Sequence, residues 1–226
     1  MSATFVTATG TDIGKTFVTA GLIRALRAKG RKVSALKPVV SGFDMATAAS
    51  SDPGVLLAAL DIPISPEALE DMSPWRFAAP LSPDMAAARE GKSLDFDAIV
   101  ALCRQRVAQN DGTLFIEGVG GVMVPLDDRH TVLDWMGALN LPLIMVTGSY
   151  LGTISHTLTA LDVVARRGLT VKALVINDTG DGAVPIGETK AVLARFHPNV
   201  TIAVIPRVKR PLDADANFAA LWRAIG

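Results

Sequence analysis

Residues 7–16 read Thr-Ala-Thr-Gly-Thr-Asp-Ile-Gly-Lys-Thr (TATGTDIGKT) and lie between an apolar run, TFVTA at 4–8, and an amphipathic stretch that starts at Lys15. Gly14-Lys15-Thr16 is the ending of a loop that cradles phosphate. Such a loop needs a strand before it and a helix after it, so that successive backbone N–H groups and the helix N-terminus face a polyphosphate. Both flanks are present. Thr16–Lys29 carries Val18, Leu22, Ala25, Leu26 and Lys29 on one face, and Gly30 follows as a stop. In this reading Lys15 reaches the β- and γ-phosphates, the Thr16 hydroxyl binds Mg²⁺, and Gly14 lets the backbone come close; the plainer alternative is an ordinary strand-to-helix turn. The spacing is irregular. Four residues between the two glycines would put the first at position 9, where the chain has Thr9, and the nearest glycine is Gly10.

Five more apolar runs follow: KVSALK (32–37), TLFIE (113–117), LPLIMVT (141–147), VKALVIN (171–177) and TIAVIP (201–206). They are apolar nearly throughout, as strands buried on both faces of a parallel sheet are. The last four recur about every 30 residues, the length of a βαβ unit. Residues 153–167 form another helical stretch, closed by Gly168. The expectation is an α/β fold: a single-domain, doubly wound, mostly parallel sheet over residues 1–226 with helices on both faces, as in phosphate-loop NTPases. A long excursion from 38 to 112, with a helical segment at 94–109, is expected to supply substrate and metal contacts.

Composition bounds the function. Half of the 226 residues are hydrophobic, so a large core is available, and 22 basic residues balance 22 acidic ones. That balance argues against a surface built to coat nucleic acid or an acidic membrane. The one cysteine, Cys103, excludes an intrachain disulfide and reads as a buried helix residue. No secretory signal pattern and no apolar run of membrane-spanning length is seen, so a cytoplasmic protein is expected. The final NFAALWRAI places Phe218, Leu221, Trp222 and Ile225 at helical spacing. Its polar face lacks a Lys/Arg stripe, which favours a packing helix over a membrane-targeting one.

Other strand ends carry chemistry. Glu117 closes an apolar strand and is followed by glycines at 118, 120 and 121, resembling the acidic strand end that supports Mg²⁺; the alternative is a solvated acid in a glycine turn. Lys37 closes the second strand at the same sheet edge as Lys15. Two converging cations imply accumulating negative charge, whereas a lone surface lysine is the alternative. The Asn177 amide can both donate to and accept from an adenine edge, a weak signal by itself.

These pieces together resemble the dethiobiotin synthetase family. The likeness runs in order through GTDIGKT (10–16), KPVVSG (37–42), SD (51–52), FAAPLSP (77–83), EGVGG and VPL (117–126), LGTISHTLTAL (151–161), IND (176–178) and IPR (205–207). That family has one further residue between its loop glycines, so its first glycine falls at position 8, where this chain has Ala8; an alanine forced to positive φ there would be strained. The resemblance implies ATP- and Mg²⁺-dependent closure of the ureido ring from 7,8-diaminopelargonic acid and CO₂. It implies Lys15 and Lys37 as catalytic cations. It places Asp12, Ile13, Gly14, Lys15, Thr16, Glu117, Asn177, Pro206, Arg207 and Val208 around the nucleotide. Thr11, Lys37 and Ser41 would meet the diamine or carbamate, and Thr16, Asp52 and Glu117 would hold Mg²⁺. Asp52 rests on the likeness alone, its alternative being a helix N-cap in SSDPG. The substrate's far carboxylate would lie at the helix start Gly152, Thr153 and Ile154 of a neighbouring subunit in a homodimer, where free N–H groups bind an anion; His156 just beyond reads as structural. Two rivals remain: another phosphate-loop amide ligase, and a partition- or septum-type switch ATPase. The switch typically carries an extra lysine early in the loop, and TATGTDIG has none.

Overall fold

The computed structural model describes residues 2–180, 182 and 184–225. Its central sheet is built from β1 (Ser2–Ala8), β2 (Val33–Leu36), β5 (Thr113–Glu117), β6 (Leu143–Gly148), β7 (Val171–Asn177) and β8 (Thr201–Ile205). The spatial order is β2-β5-β1-β6-β7-β8, and every pairing is parallel. The six strands fall within or beside the six apolar runs. β5 and β6 are buried at every position, as continuous apolar runs between two helix layers must be.

Alternate residues feed two cores. Phe5, Ile116, Met145 and Ile176 face one, while Val6, Phe115, Val146 and Val175 face the other. The first core is closed by α5 (Phe96–Gln109), α6 (Val132–Leu139), α7 (Thr153–Arg166) and α8 (Ile186–Phe196). The second is closed by α1 (Lys15–Arg27), α2 (Asp52–Leu60), α3 (Pro66–Met72) and α9 (Asp215–Ile225). The handedness of parallel crossovers dictates this division. From β1 the chain crosses through α1 to β2 in one direction; from β5 it crosses through α6, α7 and α8 to β8 in the other. Right-handed connections running in opposite directions place their helices on opposite faces. The reversal leaves a crevice at the carboxyl end of β1, where ligands bind in such sheets.

Two short strands, β3 (Val39–Ser41) and β4 (Trp75–Phe77), pair in parallel apart from the main sheet. With α4 (Pro83–Arg89) they belong to the 38–112 excursion. At three residues each they have no readable period, and the sequence reading did not contain them. Lys37, two residues before β3, is held by the end of α3, whose C-cap lies two residues before β4. Its N–H donates to the Met72 carbonyl at 3.0 Å, and the Ser73 hydroxyl donates to the Lys37 carbonyl.

α9 is a packing helix. Phe218, Leu221 and Ile225 are buried in the second core, and the Phe218 ring lies against Gly21 of α1. Its fully buried Phe218 is stabilising by about 2 kcal/mol relative to leaving it in water. Arg24 of α1 pairs with Asp215 at 3.0 Å and fixes the register of the two helices. Cys103 is buried in α5, and that burial pushes its thiol up to about 12.

Candidate active site

The loop at the end of β1 is tied down from both sides. The Thr9 N–H donates to the Val146 carbonyl and the Val122 N–H donates to the Ala8 carbonyl. Ala8 ends β1 in the strand and is absent from the positive-φ residues, so the expected strain at position 8 does not arise. The left-handed conformations fall instead on Asp12 (φ 56°) and Gly14 (φ 98°). Aspartate is among the few side chains that tolerate that region, and glycine has no penalty there. The extra residue is thus absorbed in the middle of the loop. Gly14 heads α1 with no side chain capping it, so the first N–H groups of the helix have no intrahelical partner and face the crevice.

Lys15 folds back along the loop, its Nζ 3.4 Å from the Gly10 carbonyl. Burial, and next the like charge of Lys37, lower its pKa from 10.5 to about 8. Opposite it lies a tight cluster. Lys37 Nζ is 2.8 Å from Glu117 Oε1, 2.8 Å from Asp52 Oδ2 and 2.8 Å from the Gly118 carbonyl. Lys37 is 1% exposed and Glu117 is fully buried, which rules out both a surface lysine and a solvated acid. Burial opposes the charge on Lys37, but Glu117 and Asp52 outweigh it and hold its pKa above the usual lysine range. Burial likewise works against the Asp52 carboxylate, and Lys37 overrides it, so its pKa is lowered. Asp52 is not the N-cap of α2: Ser51 has that place, its hydroxyl accepting from Gly54 N–H at 3.3 Å. Asp52 is left free to face Thr16 and Lys37.

The Thr16 hydroxyl lies 2.7 Å from Asp52 Oδ1 and also 2.7 Å from Glu117 Oε1. It has one proton and can donate to only one of them. Glu117 Oε2 is buried with no hydrogen-bond partner among the described residues. A hydroxyl crowded by two carboxylates, with an orphaned buried oxygen beside it, suits a hard divalent cation that prefers oxygen donors. The residues present therefore fit Mg²⁺.

A cavity of about 630 Å³ opens over this cluster, lined by Thr11, Asp12 and Ser41 together with Lys15, Thr16 and Lys37. Ile13 differs from its loop neighbours: its side chain is buried in the second core and only its carbonyl is engaged, accepting from Asn177 Nδ2 at 2.9 Å. Asn177 thus braces the loop from the end of β7. Pro206, Arg207 and Val208 follow β8 directly beside it, since Asn177 pairs with Ile205; the Arg207 guanidinium donates to the Thr179 carbonyl at 3.4 Å. Gly152, Thr153 and Ile154 are not in this cavity. They line a separate recess of about 90 Å³ with Tyr150 and Leu151. His156 bonds the Tyr150 hydroxyl at 3.0 Å. The sequence reading missed the Gly118 carbonyl as a Lys37 partner. It also missed the close approach that fixes Gly121, whose Cβ would lie 3.2 Å from Gly10 Cα. The glycine run after Glu117 was the available signal for both.

Comparison with known proteins assigns the family. A family described as an AAA domain matches residues 2–212. The ATP-dependent dethiobiotin synthetase BioD of Acidiphilium cryptum is 49% identical over 86% of this chain and 88% of its own length. That of Methylobacterium nodulans is 48% identical over 92% and 94%. Among solved structures, the Pyrococcus furiosus cell division ATPase MinD covers 100% of both chains with a TM-score of 0.60 at 17% identity. The Aquifex aeolicus MinD cell division protein gives 0.60 at 11% identity over 100% and 98%. At those identities the likeness speaks for the fold alone, a phosphate-loop NTPase-like α/β sheet. The near-half identity over most of both lengths goes further, and with it the chain belongs to the ATP-dependent dethiobiotin synthetase family.

Proposed function

We propose that this protein closes the ureido ring of dethiobiotin from 7,8-diaminopelargonic acid, CO₂ or bicarbonate, and ATP with Mg²⁺. The observation that carries the reading is Lys37, buried between Asp52 and Glu117 on the wall of the cavity that the phosphate loop opens into. A nucleotide-binding module has no need of a second buried cation there.

One amine of the diamine adds to CO₂, loses a proton and becomes a carbamate. A carbamate oxygen attacks the γ-phosphorus, the bond to the bridging oxygen breaks, and ADP leaves. The second amine attacks the carbonyl of the resulting carbamic–phosphoric anhydride and gives up a proton, phosphate departs with its oxygen, and the ring is closed. No step needs a protein nucleophile, so positioning and charge neutralisation do the work. The N–H groups of residues 14–16 and the Lys15 ammonium hold the phosphates. Lys37 neutralises carbamate and γ-phosphate together, and Thr11 and Ser41 orient the diamine. Thr16, Asp52 and Glu117 would hold Mg²⁺, which when bound neutralises charge on the phosphoryl oxygens. Asn177 and residues 206–208 would contact the adenine. The substrate carboxylate would reach the start of α7 in a second copy of the chain, at Gly152–Ile154, making the enzyme a homodimer.

The test is phosphate release from Mg-ATP with bicarbonate, with and without the diamine, followed by mass spectrometry of the organic product. Diamine-dependent release with a cyclic urea is the expected result. Diamine-independent hydrolysis without a urea would shift the assignment to a switch ATPase.

A further inference from the structure

Four threonine hydroxyls meet beneath the phosphate loop, between the carboxyl ends of β1 and β6 and the first turns of α7. Thr147 Oγ1 lies 3.1 Å from Thr9 Oγ1, 2.9 Å from Thr153 Oγ1 and 2.8 Å from Thr157 Oγ1. Counting protons gives the chain a direction. Thr153 donates its only proton to the Gly148 carbonyl at 2.6 Å, so it must accept from Thr147. Thr147 has then spent its own proton, and its two lone pairs receive those of Thr9 and Thr157. Every hydrogen-bonding site of Thr147 is filled, and Thr147 and Thr157 are fully buried. A satisfied hydroxyl hub in a low-dielectric interior fixes geometry, because each alternative arrangement leaves a buried partner unpaired.

Thr9 is the outlying member of this cluster and belongs to the loop. It is the last residue hydrogen-bonded to the sheet before Gly10, Thr11 and Asp12, of which the last two are exposed. Lys15 Nζ reaches the Gly10 carbonyl, so the position of Gly10 bears on where the ammonium sits. Asn177 secures the other half of the loop through the Ile13 carbonyl. We infer that Thr147 is a positioning residue for nucleotide binding, acting through Thr9 to lock the entry half of the phosphate loop against the start of α7. The inference rests on the reading of the loop as the nucleotide site.

Thr147→Val keeps the side-chain volume and removes the hydroxyl. Calorimetric titration of ADP with Mg²⁺, well below the unfolding temperature, is the test. We expect Thr147→Val to weaken ADP about tenfold by releasing Thr9. Thr147→Ser should restore affinity to within about twofold, because it returns the hydroxyl. Thr9→Val should weaken binding comparably, and the double variant should be no worse than Thr147→Val, since both act through one bond. Thr157→Val, on the far side of the hub, should lower the melting temperature and leave affinity unchanged. Wild-type affinity in Thr147→Val, or an equal loss in Thr157→Val, overturns the inference while leaving nucleotide binding intact. Failure of the wild-type protein to bind ADP overturns the nucleotide reading and the inference with it.

Discussion

Lys37 ties the stability of the site to the proposed chemistry. Its charge is shared by Glu117, Asp52 and a carbonyl. Lys37→Gln removes the charge and leaves two close carboxylates facing a hydroxyl. Breaking a buried pair costs about 3 kcal/mol, the lower end of the usual range because the Asp52 side chain is 40% exposed. We therefore expect Lys37→Gln to fold with a lowered melting temperature, to regain stability on adding Mg²⁺ more than the wild type does, and to lose at least about 100-fold in turnover. Near-normal turnover would take Lys37 out of the catalytic set. Lys15 makes a second prediction at this scale. Its folded pKa of about 8 lies below the unfolded value near 10.5. Between those values the unfolded chain holds more protons, so stability rises with pH across that window and is flat below it. A bound phosphate draws the proton back, so ADP binding at pH 8.5 should take up protons, and affinity should fall as pH climbs further. Calorimetry in buffers of different ionisation enthalpy reads this; no proton uptake would mean that Lys15 is fully charged before the nucleotide arrives. The placement of Lys15 and Thr16 at the crevice was readable because strand, loop and helix are contiguous in sequence. The burial of Lys37 was not, since its partners Asp52, Met72, Ser73, Glu117 and Gly118 are distant in sequence. Asp52, 36 residues from Thr16, left no local trace either.

At the scale of elements, legibility follows burial and length. All six strands of the main sheet were readable because two helix layers force them to be apolar throughout. β3 and β4 were not, being too short to show a period. The packing of α9 on α1 was half legible: the apolar stripe of α9 announced a buried face, but its partner was hidden in Gly21, which reads as a weak point in a helix. A Cβ at Gly21 would lie 2.1 Å from the Phe218 ring. That ring is fully buried and stands edge-on to Phe17 at 5.4 Å, so it has little room to move. Replacing a helical glycine with alanine ordinarily gains about 1 kcal/mol. Here overpacking should reverse the sign, and Gly21→Ala should be destabilised by about 1–3 kcal/mol. Urea denaturation would show a lower midpoint at unchanged slope. Adding Phe218→Leu should recover part of the loss, because the two sites share one contact. A stabilised Gly21→Ala would mean that the two helices are not in close contact at this point.

At the scale of the whole molecule, the separation of two recesses sets the question. Lys37 lines the large cavity, whereas the helix start at Gly152–Ile154, where the Thr153 N–H donates to the Tyr150 carbonyl at 3.1 Å, lies in a recess of its own, with Leu151 83% exposed beside it. One chain does not bring these groups together. If the substrate bridges a cation in one subunit and a helix N-terminus in the other, defects in the two places should complement each other. Lys37→Gln supplies the first defect. Gly152→Asp supplies the second: its charge repels a carboxylate and the nearest side-chain atom to a Cβ there is 3.7 Å away on His156, while the backbone at φ 95° adds strain that lowers the melting temperature. Each variant alone should be dimeric by light scattering and nearly inactive. When the two are unfolded, mixed in equal amounts and refolded, half the dimers are hybrids. Each hybrid then holds one site with both defects and one with neither, and activity should return to about a quarter of the wild-type level. If both groups served the same subunit's substrate, every site in the hybrid would carry one defect and the mixture would stay inactive. Recovery near a quarter therefore assigns the helix start to the neighbour's site, and silence in a mixture proven to contain hybrids assigns it elsewhere.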